Sequence, residues 1–341
     1  MSPYALSMLL SSLSTGTVIT FISNHWFLAW IGLELNTLAL LPLMSKTRHP
    51  RATEAATKYF LVQAAASATL LFATTLNAWY TGEWTISSMQ TSTPTLMLTI
   101  ALMIKLAVAP FHLWLPDVVQ GLDLMTCLIL LTWQKLAPMA LLIQIGPELS
   151  PTLLTTLGTL SIAVGGWGGL NQPQLRKIMA YSSTAHIGWM VVVLVYSTQL
   201  VVLNLFLYLM MTAAMFLMLL SLSSTNINKM ATSWMKNSML TPMMMIILMS
   251  LGGLPPTSGF MPKWLILEEL VKQNMMLLAT TMAMLALLSL FFYLRLTYST
   301  SLTTPPALQN SKFLWHLNKP KYKATPTMSI LSTMLLPILP T

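Results

Sequence analysis

The chain has 341 residues, of which 55% are apolar and only 7% charged, with 17 Lys+Arg against 8 Asp+Glu and a net charge of +9. A soluble domain carries about 25% charged residues, so no water-facing surface can be assembled from this pool; a soluble enzyme, a nucleic-acid binder and a disordered chain are excluded. The bilayer is the solvent, and because the apolar runs lack a period of two, the elements that cross it are helices rather than barrel strands.

In chain order, apolar runs between polar breaks predict eleven spans: Pro3–Ser23, Trp26–Met44, Ala56–Ala78, Thr95–Leu115, Met125–Ile145, Pro151–Leu170, Lys177–Val195, Gln199–Leu222, Thr241–Lys272, Met275–Thr297 and Thr325–Leu339. No Lys or Arg precedes the apolar stretch of Met1–Gly16, so no cleavable signal or Arg-rich presequence is expected. The fourth span runs into Pro110 to Pro116, and the ninth is too long to be straight and holds Gly252, Gly253, Pro255, Pro256 and Gly259. Both are expected to break in mid-membrane. The Thr/Pro/Lys-rich stretch Ser299–Ala324 reads as an exposed polar connection before a final peripheral helix.

With eleven crossings, one face receives Lys46, Arg48, Arg51, Arg176, Lys177, Lys229, Lys236, Lys312, Lys319, Lys321 and Lys323. The other receives Glu83, Glu148, and Lys272 beside Glu268 and Glu269. The asymmetry puts the amino terminus on the positive side and the carboxyl terminus opposite. The fourth and ninth spans are five apart, so they run in opposite directions, and paired interrupted spans point to inverted repeats with a site at the breaks. The expected fold is an all-α membrane protein of eleven transmembrane helices, two of them broken. Spans one to five (1–146) and six to ten (147–298) form two inverted five-helix repeats, followed by the polar connection and carboxyl-terminal helix (299–341).

Four charges lie well inside the spans: Glu34, Lys105, Lys135 and Lys263. Each costs about 2.5–3.5 kcal/mol at a helix centre, so such groups face a hydrated interior and mark an ion or proton path. The alternative is a structural ion pair, but three lysines against one carboxylate cannot neutralise one another pairwise. Lysine suits proton work, because burial disfavours its ammonium and a nearby carboxylate favours it, whereas arginine does not deprotonate. Glu34 stands next to Gly32, where a second helix can come close.

His112, among the prolines of Ala109 to Asp117, and His186, in Tyr181-Ser182-Ser183-Thr184-Ala185-His186, can relay protons between lysines. The hydroxyls before His186 can hold a water chain; either histidine can instead simply bond a carbonyl. His25, His49 and His316 read as surface groups. Asp117 and Asp123 are expected as helix caps, Arg295 as a snorkelling side chain, and the 28 methionines as packing filler rather than metal ligands. Cys127, the single cysteine, cannot form an internal disulfide. No metal-ligand spacing, phosphate loop, haem or iron–sulfur pattern is present.

Lys105 followed by Ala109-Pro110-Phe111-His112-Leu113-Trp114-Leu115-Pro116-Asp117 resembles the signature of the antiporter-like subunits of respiratory complex I and of multisubunit cation/proton antiporters. So do Lys135, Tyr181 to Gly188, and Gly253-Leu254-Pro255-Pro256-Thr257-Ser258-Gly259-Phe260-Met261-Pro262-Lys263-Trp264. The four motifs occur in order over nearly the whole chain. The short amino terminus is similar to that of an animal mitochondrial member lacking three helices of its bacterial relatives, and the richness in methionine and threonine is similar to mitochondrially encoded subunits.

The resemblance implies a proton-translocating subunit of NADH:ubiquinone oxidoreductase. In it Glu34 modulates Lys105, Lys135 bridges, Lys263 serves the second half, and His112 and His186 support the relay. It implies an enzyme only as part of the complex, with no cofactor or metal in this chain and with NADH, FMN, iron–sulfur clusters and ubiquinone handled by other subunits. Implied partners are other membrane-arm subunits and the lipid bilayer, with cardiolipin at basic matrix loops and no nucleic acid. The implied location is the mitochondrial inner membrane, amino terminus in the matrix and carboxyl terminus in the intermembrane space. Two other readings stay open: a structural or assembly subunit, and a stand-alone cation/proton antiporter, against which the lack of a carboxylate cluster for sodium counts.

Overall fold

The computed structural model describes residues 2–47, 49–89, 91–235, 239–303 and 324–333. Arg48, Lys236, Lys312, His316, Lys319, Lys321, Lys323, most of the expected polar connection and the end of the expected last span lie outside them. Among the described residues the chain is helical, without β-strands, and only two isolated bridges occur, His25 with Thr85 and Gln174 with Asn226.

Two compact units divide at Ser161 and Ile162. The first holds α1 (Pro3–Ile22), α2 (Trp26–Met44), α3 (Pro50–Thr81), α4 (Ser92–Leu106), α5 (Trp114–Gly121), α6 (Leu124–Leu131), α7 (Trp133–Ile145) and the start of α8 (Pro151–Gly169). The second holds the rest of α8, then α9 (Leu175–Val193), α10 (Thr198–Leu222), α11 (Ile227–Ala231), α12 (Leu240–Gly252), α13 (Phe260–Lys272), α14 (Met276–Leu302) and α15 (Thr325–Thr333). Among the described residues, six helical stretches are long and apolar enough to cross a membrane: α1, α2, α3, Leu124–Glu148, α10 and α14.

Local chemistry sets the helix ends. Ser2 accepts a hydrogen bond from the Ala5 N–H with Pro3 at the first helical position. His25 and His49, rather than standing idle at the surface, cap α2 and α3: their Nδ1 atoms accept from the N–H groups of Phe27 (3.2 Å) and Arg51 (3.1 Å). Asp123 occupies the cap position of α6 but makes no side-chain cap bond. Asp117 does not cap α5 either. That helix begins after Leu113, so Asp117 is its fourth residue and reaches Lys58 instead.

The fourth span breaks earlier than its prolines suggest. Ala107 adopts a left-handed φ of 61°, and the Val108 N–H folds back to the Met103 carbonyl (3.0 Å), closing α4 ahead of Pro110. A residue before proline is pushed out of the helical region, so the helix ends before the ring arrives. Pro116 then sits in the first turn of α5, where its missing N–H costs nothing. The ninth span breaks between α12 and α13, where Gly253 takes a φ of 80°. The fifth, expected to be continuous, is interrupted at Thr132. There the hydroxyl donates to the Leu128 carbonyl at 2.6 Å, a back-bond that bends helices.

Many of the abundant serines and threonines make a similar bond to their own helix. Thr17, Thr20, Thr99, Ser250 and Thr297 each donate to a carbonyl three residues back. A hydroxyl inside lipid thus needs no water. Small residues bring helices together: a Cβ on Gly32 would lie 2.6 Å from Thr20 Cγ2 and 2.8 Å from the Gly16 carbonyl oxygen, so α1 runs against α2 at the position expected beside Glu34. Gly32→Val should therefore force these helices apart and cost about 1–3 kcal/mol; thermal unfolding of the purified protein would show the loss, and an unchanged midpoint would contradict the contact.

Candidate functional site

In the first unit the break after α4 leaves carbonyl oxygens without helical partners. The Trp114 indole donates to the Ile104 carbonyl at 3.2 Å, and the Lys135 ammonium donates to the Leu106 carbonyl. Lys135, only 1% exposed, stands one turn into α7, just past the Thr132 interruption. Its charge meets the negative end of the α4 dipole, where a cation is stabilised.

Lys105, in the last turn of α4, is 5% exposed, and its Nζ has no hydrogen-bond partner in the protein. Lys105 and Lys135 line one small cavity of about 20 Å³, room for a single water molecule. Asn36, Gln63, Gln134, Tyr59 and Trp114 share its wall. Both amide atoms of Asn36 also lack protein partners, while Gln134 donates to the Asn36 main-chain carbonyl at 3.3 Å. Buried polar atoms left bare by the protein around a water-sized space are what a hydrated proton path requires.

Glu34 lies on α2, one turn before Thr37, and its Oε2 is buried without a partner. Its charge acts on Lys105 and on Tyr59, but no ion pair within 4 Å joins it to Lys105. It does not line the cavity. His112 is buried in the turn after α4, bonded to the Pro110 main chain, and also stands outside that cavity.

In the second unit Lys263 belongs to the first turn of α13 and reaches back across the break to donate to the Gly252 carbonyl, the end of α12, at 2.8 Å. Gly253 makes the approach possible, since a Cβ there would sit 2.9 Å from Lys263 Nζ and 3.0 Å from its Cδ. His186, buried on α9, feels the charge of Lys263 and packs its ring against Tyr208, centroids 5.5 Å apart. Tyr208 is hydrogen-bonded to Ser183. The hydroxyls expected to hold a water chain are engaged by their own helix: Ser182, Ser183 and Thr184 donate to Met179, Ala180 and Tyr181. Their hydrogens leave for the backbone because each hydroxyl sits one turn above a carbonyl. Arg295, expected to snorkel, donates to the Leu170 carbonyl at 2.6 Å.

The charged residues singled out in the sequence thus fall into two groups, Glu34, Lys105 and Lys135 in the first unit and His186 with Lys263 in the second. Sequence reading passed over Asn36, Gln63 and Gln134. A signal existed, because an amide within an apolar run is nearly as hard to place in lipid as a charge.

The family model described as "NADH:quinone oxidoreductase/Mrp antiporter, TM" matches residues 23–289, and "NADH dehydrogenase subunit 2 C-terminus" matches residues 290–341. NADH-ubiquinone oxidoreductase chain 2 of Xenopus laevis is 55% identical over 100% of this chain and 99% of its own. Among solved structures, a chain of respiratory complex I from Thermus thermophilus is similar with a TM-score of 0.85 and 26% identity, over 99% of this chain and 80% of that one. A chain of the Mrp complex from Dietzia sp. DQ12-45-1b shares the fold, with a TM-score of 0.77 and 18% identity over 84% of this chain and 59% of its own.

Gly253 and Gly82 offer a controlled comparison. Both have positive φ, but nothing lies within 4 Å of a Cβ built on Gly82. Alanine at either costs about 1–2 kcal/mol in backbone strain; Gly253→Ala should lose measurably more in thermal stability, because it also dislodges Lys263. Equal losses would mean that the ammonium is not held there.

Proposed function

This chain belongs to the NADH-ubiquinone oxidoreductase chain 2 family, and we propose that it moves protons through two lysine-centred sites, one in each compact unit. It is a membrane subunit of complex I, translocating protons while the complex oxidises NADH and reduces ubiquinone. The observation that carries the two-site reading is repeated chemistry: the fourth and ninth spans each break at a left-handed residue, Ala107 or Gly253, with a lysine ammonium on the last carbonyl before it.

In the first unit Lys105, adjoining a space the size of one water and without a protein partner, is the group that gains and loses a proton. Glu34 biases it from a distance, and Lys135 receives the proton next. In the second unit His186 and Lys263 take the corresponding parts, and His112 supports the transfer near the first break. A proton moved through about 100 mV requires about 2.3 kcal/mol, within reach of a neighbouring carboxylate or ammonium that shifts position by a few ångströms in a medium of low dielectric.

Finer features complete the proposal. The chain crosses the mitochondrial inner membrane eleven times, with α4–α5, α6–α7 and α12–α13 each counted once. Residues 1–146 and 147–298 form inverted repeats, supported by the odd separation of the broken spans, which makes them antiparallel. The amino terminus and the basic loops around Lys46, Arg51, Arg176, Lys177 and Lys229 face the matrix, supported by the excess of cations there. Those loops attract cardiolipin, whose phosphates complement them. NADH, FMN, iron–sulfur clusters and ubiquinone are handled by other subunits, with which this chain packs in the membrane arm.

A structural reading has one observation in its favour, since Lys135 and Lys263 also serve as helix caps. Arginine separates the two, because it keeps the charge and the donors but does not release a proton. In intact complex I sealed into vesicles, Lys105→Met and Lys263→Arg should assemble and oxidise NADH while fewer protons move per NADH. Normal proton yield in both would leave only a scaffold.

A further inference from the structure

On the outer end of the first unit, α3 and α5 enclose a second, charged cavity of about 240 Å³, open to the surface and large enough for several waters. Arg51, Glu54, Lys58, Asp117 and Gln120 line it. Lys58 sits between two carboxylates, 2.8 Å from Glu54 and 3.7 Å from Asp117. The chain has only eight acidic residues, yet two converge here, beside a basic loop. Exposed ion pairs add little stability, so packing alone does not account for them. At the outer ends of α3 and α5 the walls meet closely: a Cβ on Gly121 would lie 2.6 Å from the Arg51 carbonyl oxygen and 2.8 Å from Ala55 Cβ.

The same two helices line the inner cavity that holds Lys105. On α3, Glu54 and Lys58 face the outer space while Tyr59 and Gln63 face the inner one; on α5, Asp117 is outer and Trp114 inner. At 1.5 Å per residue, Asp117 and Trp114 are offset by only about 5 Å along the helix. On the wall of the inner space the rings of Tyr59 and Trp114 lie 5.9 Å apart and tilted by 58°, both buried. The Trp114 indole is tethered to the Ile104 carbonyl, next to Lys105 in sequence.

Resting on the relay reading above, we infer that the Glu54–Lys58–Asp117 cavity is the aqueous mouth through which protons reach Lys105, and that the Tyr59–Trp114 pair is the barrier separating mouth from relay. The two carboxylates offset the charges of Arg51 and Lys58 and so keep the mouth open to hydronium at a face otherwise rich in cations. A hydronium gives up its proton through water at the ring pair; the Lys105 amine accepts it and becomes the ammonium, and water is left behind. Glu54 and Asp117 are positioning residues in this account, because they draw the ion in without touching the lysine. The aromatic pair keeps the path shut when Lys105 is already charged, which a pump needs to avoid backflow.

The test uses intact complex I in sealed vesicles with Lys105→Met as reference. The double variant Glu54→Gln with Asp117→Asn should lose proton yield per NADH to the same extent as Lys105→Met, and Asp117→Glu should restore it. Tyr59→Ala should let an imposed pH gradient decay faster without NADH. A double variant that pumps normally while Lys105→Met does not, or a Tyr59→Ala gradient as durable as that of the unaltered complex, overturns the mouth and barrier alone. Normal pumping by Lys105→Met overturns the relay and the mouth with it. Should the double variant fail to assemble, Gln120→Cys in a Cys127→Ala background decides: a charged, membrane-impermeant thiol reagent should label it and depress pumping, and failure to do either refutes the proposal.

Discussion

A helix that stops among apolar side chains bares carbonyl oxygens that they cannot bond, and a lysine ammonium enclosed beside it lacks the water that its charge requires. Here each answers the other. Lys135 donates to the Leu106 carbonyl and Lys263 to the Gly252 carbonyl, so two costly features become one tolerable pair. Neither half is stable alone, which ties the placement of the charges to the breaks themselves. The pairing is electrostatic as well as geometric, since the carbonyl end of a helix carries negative partial charge.

That arrangement leaves Lys105 as the exception. It stands in the last turn of α4, beside a water-sized space, with its ammonium unbonded by protein and Glu34 at a distance. A lysine held on a carbonyl must give up a strong bond to change state, whereas one facing water gives up little. Under the proposed relay, Lys135 and Lys263 are anchors with a second duty and Lys105 is the most readily switched member. The second unit solves its problem differently, placing a buried imidazole, braced against Tyr208, within reach of the charge of Lys263.

Elsewhere in the interior, local bonds and close packing do much of the work. Serine and threonine hydroxyls donate to their own helices, and glycines such as Gly32 allow helices to touch. Such contacts hold a bundle together where water offers no hydrophobic drive between helices. Near the lysines, Asn36 keeps both amide atoms without protein partners.

Much of this was legible before any coordinates. Too few charges for a wet surface dictates membrane helices, apolar runs place them, and Gly253 with its prolines marks a break; α2 and the ends of α12 and α13 fall where the residues suggest. The motifs around Lys105, His186 and Lys263 also drew attention to residues that the fold places at or beside the helix breaks and cavities, because a charge in an oily run is conspicuous. The break at Pro110 was expected but opens three residues earlier, and the one at Thr132 was unseen, since both depend on how backbone groups re-pair rather than on any forbidden residue. That the hydroxyls before His186 also donate to their own helix, and that the surface histidines His25 and His49 cap helices as well, was not legible in the residues alone. Partition between lipid and water is a property of each segment taken singly, so composition and order suffice to settle it. Whether an ammonium meets a helix end, a cavity or an imidazole depends on atoms tens of residues away, and only the packing of distant helices against one another could settle that.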